Sequence, residues 1–272
     1  MKFLLCLSLS LMALFAEERG CFVDENSQNI IFVKDGETKS LGLKEKIYKD
    51  QRCAYDESSF YVANLNNEIV KVASEKEFLF ALPNVGCKVS NILLDKEKIY
   101  VACDMANVVT IAIFDKSSKK FISKNFNNVY KISSFLSLSG GVFFTSFNGK
   151  AFLLDSKLDV KEQKSVGFAP ISACKFSDDE IFIGFRNGEI LDLKSGAKKQ
   201  VLRSKISALA CVGDEVLVAG EDGAIYKFDK SFKLKGKKEL FSGEIKEIFI
   251  DKNVLVGVDL GNKTKSLEIN SF

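Results

Sequence analysis

Short apolar segments alternate with polar turns along almost the whole chain. In one clear unit, residues 205–211 and 215–220 are apolar, residues 224–229 alternate between apolar and polar, and residues 233–241 are rich in lysine. The β-branched and aromatic residues, the period of two and the Asp/Asn-Gly turns are typical of β-strands joined by tight turns. The pattern predicts four antiparallel strands in each unit, with apolar inner strands and a solvent-exposed fourth strand.

The second strand of each unit ends at a small residue, and these residues recur at a nearly constant interval. The intervals are 40, 43, 38, 36 and 37 residues between successive members of the set Ala63, Cys103, Ser146, Gly184, Gly220 and Gly257. This period is typical of four-stranded propeller blades. The sequence therefore predicts an all-β fold and, within that class, a β-propeller of four-stranded antiparallel blades.

The predicted number of blades depends on the units at the two ends of the chain. Five complete units occupy residues 47–82, 87–128, 129–166, 170–204 and 205–241. Residues 21–46 hold about three further strands, and residues 244–272 hold three strands without a fourth. Counting both ends as blades predicts a seven-bladed β-propeller. Six blades is the alternative, in which the N-terminal strands complete the last blade.

The N-terminal residues have the pattern of a secretory signal peptide. Lys2 precedes an apolar run over residues 3–15, and Ala16 is followed by two glutamates. This run is shorter than the roughly 20 residues that span a membrane comfortably. We expect a signal peptide at residues 1–16, removed on export to the periplasm, and then a single domain over residues 17–272 without a membrane span. A retained N-terminal anchor is the alternative.

Export changes the interpretation of the cysteines. Six remain after the signal peptide, an even number in an oxidising compartment: Cys21, Cys53, Cys87, Cys103, Cys174 and Cys211. Cys53, Cys174 and Cys211 occupy equivalent places on first strands. The width of a blade is expected to separate them, which argues against direct pairing. The sequence is compatible both with disulfides and with free buried thiols. No C-x-x-C spacing indicates a metal site.

The residue types that are missing restrict the function. Lysine and arginine number 39 against 36 aspartates and glutamates, so the charge does not favour a nucleic-acid partner. The chain has no histidine, which excludes serine–histidine catalysis and histidine-ligated zinc or haem within it. We therefore predict no catalytic, cofactor-binding or metal-binding residues, no cofactor and no enzymatic activity.

Three groups of polar residues are candidates for chemistry. Acidic clusters occur at residues 178–180 and 221–222, in predicted hairpin turns where Asp is favoured by local hydrogen bonds. The glycine turns at residues 187–188 and 220–223 lack the lysine and the helix of a phosphate loop.

The third group consists of lysines on the predicted outer strands and their approaches. These are Lys119, Lys120, Lys198, Lys199, Lys230, Lys233, Lys235, Lys237 and Lys238. We interpret them as protection of exposed strand edges against pairing with other chains. A basic rim that docks an acidic partner is the alternative.

The repeats resemble those of the WD40-like and quinoprotein-like β-propellers of bacterial envelopes, over essentially the whole mature chain. The resemblance is one of period and strand pattern. Other pairs take the place of the Trp-Asp dipeptide of WD40 repeats, namely Phe114-Asp115, Leu154-Asp155 and Phe228-Asp229. Leu193-Lys194 departs from that pattern, and a chain without Trp lacks the docking motifs of quinoprotein dehydrogenases. In size, signal peptide and composition the chain is similar to the NapL family of exported propellers, which are encoded with some periplasmic nitrate reductase systems.

The resemblance implies an accessory function in the bacterial envelope. We expect a periplasmic protein-binding or scaffold propeller whose partner is an envelope protein or enzyme complex, such as components of periplasmic nitrate reductase. An enzyme, or a propeller that binds a small ligand or ion through carboxylates around its channel, is one alternative. A scaffold for outer-membrane assembly is another. A ring of Asp and Glu facing the channel would favour the first alternative over a protein-binding module.

Overall fold

A computed structural model describes residues 20–24, 29–34, 37–43, 46–48, 51–56, 58–83 and 86–272. The predicted signal peptide at residues 1–16 lies outside these residues. The described chain contains 26 strands and one short 3₁₀ helix, so the all-β class is confirmed. No helix among the described residues is both long enough and apolar enough to cross a membrane.

Eleven strands form the largest sheet: β1 (Gly20–Val23), β2 (Asn29–Lys34), β3 (Glu37–Gly42), β4 (Arg52–Tyr55), β5 (Phe60–Ala63), β6 (Glu68–Val72), β7 (Lys76–Ala81), β8 (Lys88–Leu94), β9 (Lys98–Met105), β10 (Val108–Asp115) and β11 (Phe121–Asn127). Three antiparallel sheets of four strands follow. They are β12 (Ile132–Leu138), β13 (Gly141–Ser146), β14 (Lys150–Asp155) and β15 (Val160–Ser165); β16 (Pro170–Ser177), β17 (Glu180–Phe185), β18 (Glu189–Asp192) and β19 (Lys198–Gln200); and β20 (Ile206–Val212), β21 (Glu215–Gly220), β22 (Ala224–Asp229) and β23 (Leu234–Glu239). The last sheet has three strands, β24 (Ile245–Asp251), β25 (Val254–Asp259) and β26 (Thr264–Glu268), followed by the 3₁₀ helix Ile269–Ser271.

The prediction of a seven-bladed β-propeller of four-stranded blades is wrong, and so is the six-bladed alternative. The described strands form five sheets, of 11, 4, 4, 4 and 3 strands, and the largest of these mixes parallel and antiparallel pairs. They form no closed propeller. The repeat located individual strands and hairpins, but it did not reveal which units share one sheet.

Strand β4 joins the N-terminal strands into the large sheet because both of its edges are paired. On one edge it pairs with β1, where Cys21 lies opposite Cys53. On the other edge it pairs with β5 and, through Arg52 and Asn91, with the parallel strand β8. Such pairings satisfy backbone groups that would be costly to bury alone. These pairings link residues that are far apart in the chain, so the period of the repeat does not predict them.

The apolar core lies between neighbouring sheets, as the predicted order of inner and outer strands requires. Val101 on β9, Ile183 on β17 and Leu217 on β21 are completely buried on second strands. Leu217, for example, packs with Ile248 and Leu255 of the next sheet. The fourth strands β15, β19 and β23 are largely exposed and lysine-rich. The predicted gradient from buried inner strands to exposed edge strands is therefore confirmed.

Three disulfides connect the six cysteines: Cys21–Cys53, Cys87–Cys103 and Cys174–Cys211. The last pair overturns the expectation that equivalent cysteines on first strands lie too far apart to bond. Their Cα atoms are 5.5 Å apart, because the first strands of neighbouring sheets converge. The backbone N–H of Leu209 on β20 even donates a hydrogen bond to the Ser172 hydroxyl on β16, at 3.0 Å. Three disulfides are consistent with an oxidising, exported environment.

Candidate functional site

The converging first strands enclose a cavity of about 1120 Å³. Its wall is built from β1, β4, β8, β12, β16, β20 and β24, mostly from their middles and C-terminal halves. Most of the lining is apolar, with Phe135, Leu136 and Ile248 among the residues that face it. Seven strands contribute to its wall, so it is the first candidate site.

A set of equivalent residues, one from each of six first strands, lines this cavity. Strands β8, β12, β16, β20 and β24 each carry a bulge near the N-terminal end, and a bulge re-aims the side chains after it. The residues after the bulges are Asn91, Ser134, Ser172, Ala208 and Glu247, and Arg52 lies opposite Asn91. These six residues are therefore mostly neutral, with one cation, Arg52, and one anion, Glu247.

The two charged residues of this set, Arg52 and Glu247, neutralise each other. The guanidinium of Arg52 donates hydrogen bonds to Glu247, with its Nε at 3.0 Å and one terminal nitrogen at 2.8 and 3.0 Å. This bidentate pair links the large sheet to the last one and is half-buried. Neither charge is left over for a bound ion.

The acidic residues of the cavity are matched by cations. The lining contains four carboxylates and four cations, namely Asp95, Asp178, Asp179 and Glu247 with Arg52, Lys96, Lys175 and Lys252. Lys175 lies 3.2 Å from Asp178. Burial raises the pKa of Asp178, but hydrogen bonds from Ser139 and Lys175 outweigh it and hold the pKa below its usual value. Among the described residues, this lining does not form the ring of carboxylates that the ligand-binding alternative requires.

The acidic clusters and glycines of the sequence lie in hairpin turns, as expected. Asp178 and Asp179 connect β16 to β17, and residues 221–223 connect β21 to β22. Gly188 has a φ of +85°, and a Cβ there would collide with the carbonyl oxygens of Leu202 and Ser204. Each glycine turn leads into another strand, so neither forms a phosphate loop. Among the described residues, no cluster of His, Cys, Asp or Glu could hold a metal ion.

Aspartates end the third strands and organise the turns that follow. Asp115, Asp155, Asp192 and Asp229 each accept hydrogen bonds from backbone N–H groups two to four residues further on. Hydrogen bonds from the backbone N–H of Ser118 and from the hydroxyls of Ser117 and Ser118 lower the pKa of Asp115 to about 2. The interpretation of Leu193-Lys194 as the equivalent pair in its unit was wrong, because β18 ends at Leu191-Asp192. These carboxylates are structural.

The lysines of the outer strands are partly neutralised within the chain. Lys230 lies 3.0 Å from Glu180, Lys237 lies 3.3 Å from Asp222, and Lys235 lies 3.3 Å from Asp229. Lys198 and Lys199 are exposed on the edge strand β19. This arrangement fits the protection of strand edges better than a basic rim.

A second candidate site lies on the loops that precede the first strands, away from the cavity lining. Phe168 is 78% exposed and Tyr130 is 49% exposed, each two residues before a first strand. The half-buried Phe147 stands edge-on against Phe168, with ring centroids 5.8 Å apart. The backbone N–H of Phe147 also donates to the carbonyl of Tyr130 at 3.1 Å. The loops that carry the three aromatic residues thus form one row.

The row continues into two exposed arginines. The N–H of Arg186 donates to the carbonyl of Ala169, directly after Phe168, at 3.1 Å. The turn that contains Arg186 packs on residues 202–204, which include Arg203. We call Tyr130, Phe147, Phe168, Arg186 and Arg203 the aromatic–arginine surface.

Unfavourable backbone conformations hold the two exposed aromatic residues in place. Lys131 and Ala169, which directly follow Tyr130 and Phe168, have φ angles of +47° and +56°. A left-handed conformation costs a residue other than glycine roughly 1–2 kcal/mol. Strain of this kind is often stored at binding sites. Ten described residues other than glycine have a positive φ, so it is the exposure of the two rings, rather than the backbone, that makes these loops a candidate binding site.

Sequence reasoning missed this surface, although one signal was available. The chain has only four arginines among 39 basic residues, and two of them lie here. Arginine presents a rigid planar group that suits recognition of carboxylates better than lysine does. The exposure of Phe168 could not be read from its neighbours, because a phenylalanine before an apolar strand is usually part of the core.

Comparisons with known proteins bear on the fold alone. No family model matches the chain, and no curated protein matches it. Among solved structures, it is similar to the computationally designed Ika8 protein, with a TM-score of 0.64 and 13% sequence identity. The likeness covers 89% of this chain and 81% of the designed one.

Proposed function

We propose that the chain is an exported, periplasmic protein-binding module without catalytic activity of its own. The observation that carries the proposal is the aromatic–arginine surface, in which Phe168 is largely exposed. The three disulfides support a location outside the reducing cytoplasm. The balanced charges of the cavity lining speak against carboxylate-based ion binding there.

The composition of the surface supports protein binding rather than a role in folding. Aromatic residues and arginine are enriched in protein interfaces and among the residues that contribute most binding energy. An aromatic ring left in water gains little for the folded state, since burial is what stabilises it. Phe168 and Tyr130 therefore contribute little to folding and are available to a partner.

A narrower proposal concerns the identity of that partner. The similarity of the chain to the NapL family in size, signal peptide and composition supports an accessory role for periplasmic nitrate reductase. A component of that enzyme system is then the partner that we expect on the aromatic–arginine surface. A component of the outer-membrane assembly machinery would instead support the scaffold alternative.

Replacing both Tyr130 and Phe168 by alanine is expected to abolish partner capture without unfolding the chain. We expect at least about a fivefold loss of cross-linked partner, while the free energy of unfolding changes by no more than about 0.5 kcal/mol for each of the two substitutions, as is usual for exposed positions. The measurement is affinity purification of the tagged protein from cross-linked envelopes, with quantitative mass spectrometry of the proteins recovered.

The matched control is Phe78→Ala, because Phe78 is 57% exposed on the outer strand β7, outside the aromatic–arginine surface. This variant should recover the same partner as the wild-type chain. Equal recovery of the partner with the wild-type chain, the double variant and Phe78→Ala would contradict a role for the surface. Recovery of a partner other than a nitrate reductase component, lost in the double variant, would overturn only the narrower proposal.

A further inference from the structure

We propose that the aromatic–arginine surface binds an extended acidic segment of a partner protein that carries at least one aromatic or large aliphatic side chain. This inference rests on the proposed function and adds the chemistry of the partner. It follows from the order of the groups along the surface and from the charges around them.

The surface is a continuous row rather than scattered residues. Consecutive turns and loops are tied by backbone hydrogen bonds, from Phe147 to Tyr130 at 3.1 Å and from Arg186 to Ala169 at 3.1 Å. The carbonyl of Phe147 also accepts the N–H of Ala169, at 3.2 Å. The apolar part therefore lies at one end of the row and the cationic part at the other. An extended segment that follows the row meets the aromatic residues first and then the arginines.

The apolar end suits one large side chain. Phe168 projects into solvent while its ring edge contacts Phe147, and Tyr130 belongs to the adjoining loop. Aromatic pairs favour edge-on and offset contacts, so a further ring or a leucine side chain can pack against Phe168. Backbone hydrogen bonds from Phe147 to Tyr130 and from Ala169 to Phe147 restrain the two loops, which reduces the entropy lost when the partner binds.

The two arginines of the cationic end form no ion pair within the described chain. Within the described chain, neither Arg186 nor Arg203 lies within 4 Å of an acidic side chain, although many lysines do. The closest acid in sequence, Glu189, instead accepts a hydrogen bond from Asn187 at 2.9 Å. Lys131, which is exposed beside Tyr130, adds a cation at the aromatic end of the row. Two exposed guanidinium groups that form no ion pair within the described chain favour carboxylates on the partner.

The same charges argue against a nucleic acid as the partner. Polyanions bind through many phosphate contacts, and each contact requires a cation on the protein. This surface offers two arginines, with Lys131 and Lys150 on or beside it, on a chain whose net charge is only +3. A short peptide with a few carboxylates matches that number of cations.

Selection from a phage-displayed library of random dodecapeptides on the immobilised mature protein tests the inference. We expect the enriched peptides to combine Asp or Glu with Phe, Tyr, Trp or Leu. A synthetic peptide of the consensus sequence should bind at least tenfold more tightly than the same peptide with lysine at its acidic positions. The Arg186→Glu/Arg203→Glu double variant should bind the acidic peptide at least tenfold more weakly, and Phe168→Ala should weaken it similarly.

Lys194→Glu is the matched control. It reverses an exposed charge in the sheet that also carries Arg186, but in the turn after β18. This control should bind the acidic peptide as the wild-type chain does. Enrichment of neutral or basic peptides, binding that is unchanged in the double variant, no enrichment at all, or tighter binding of a single-stranded dodecanucleotide would each overturn the inference. The proposed function would still stand if partner recovery from cross-linked envelopes depended on Phe168. Partner recovery that does not depend on Phe168 would overturn the proposed function, whatever the peptide selection gives.

Discussion

Leu217→Asp is expected to unfold the chain. Leu217 is completely buried on β21 and packs against Ile248 and Leu255 of the last sheet. An aspartate there buries an unpaired carboxylate, which costs several kcal/mol. Domains are stable by only about 5–15 kcal/mol, so this single change removes much or all of the stability. Urea denaturation followed by circular dichroism measures the loss.

Leu234→Asp provides a control with the same chemical change in the same sheet. Leu234 lies on the edge strand β23 and is 52% exposed, so this variant should lose no more than about 0.5 kcal/mol. Similar losses in the two variants would contradict the assignment of β21 to the interior and β23 to the edge.

Removing the Cys174–Cys211 disulfide should produce the second large effect. This bond joins the first strands of two adjacent sheets across a sequence separation of 37 residues. Cross-links of this kind restrict the unfolded chain and typically contribute about 2–4 kcal/mol. We expect the Cys174→Ser/Cys211→Ser variant to lose that amount in the free energy of unfolding, measured with urea under non-reducing conditions.

Thiol titration of the exported protein supplies the corresponding control. With all three disulfides formed, the denatured protein from residue 17 onward should contain no free thiol before reduction. Cys174 and Cys211 do not pair if the unsubstituted protein contains two free thiols and the double serine variant is as stable as the unsubstituted protein.

Local features of the fold could be predicted from the sequence, but the association of its units could not. Hairpins such as β21–β22 depend on alternation and on a glycine turn, which lie within a few residues of one another. The pairing of Arg52 with Asn91, which merges two units, spans 39 residues and depends on how strands converge in space. For the same reason, the Cys174–Cys211 bond was predicted to be too long.

The candidate site was less accessible to sequence reasoning than the fold. The cavity and the match of its carboxylates with Arg52 and three lysines depend on how the first strands converge in space, which the sequence does not show. Phe168 and Tyr130 look like core residues in the sequence, because exposure depends on the loop conformation. Only the rarity of arginine pointed to Arg186 and Arg203.

Cross-linking mass spectrometry of the captured complex tests the central claim most directly, because lysines lie on both candidate sites. Lys131 and Lys150 lie on or beside the aromatic–arginine surface, while Lys96, Lys175 and Lys252 line the cavity. If the chain binds its partner through the aromatic–arginine surface, intermolecular cross-links should come from Lys131 and Lys150. Cross-links from Lys96, Lys175 and Lys252, with none from Lys131 or Lys150, would contradict the account and make the cavity the binding site.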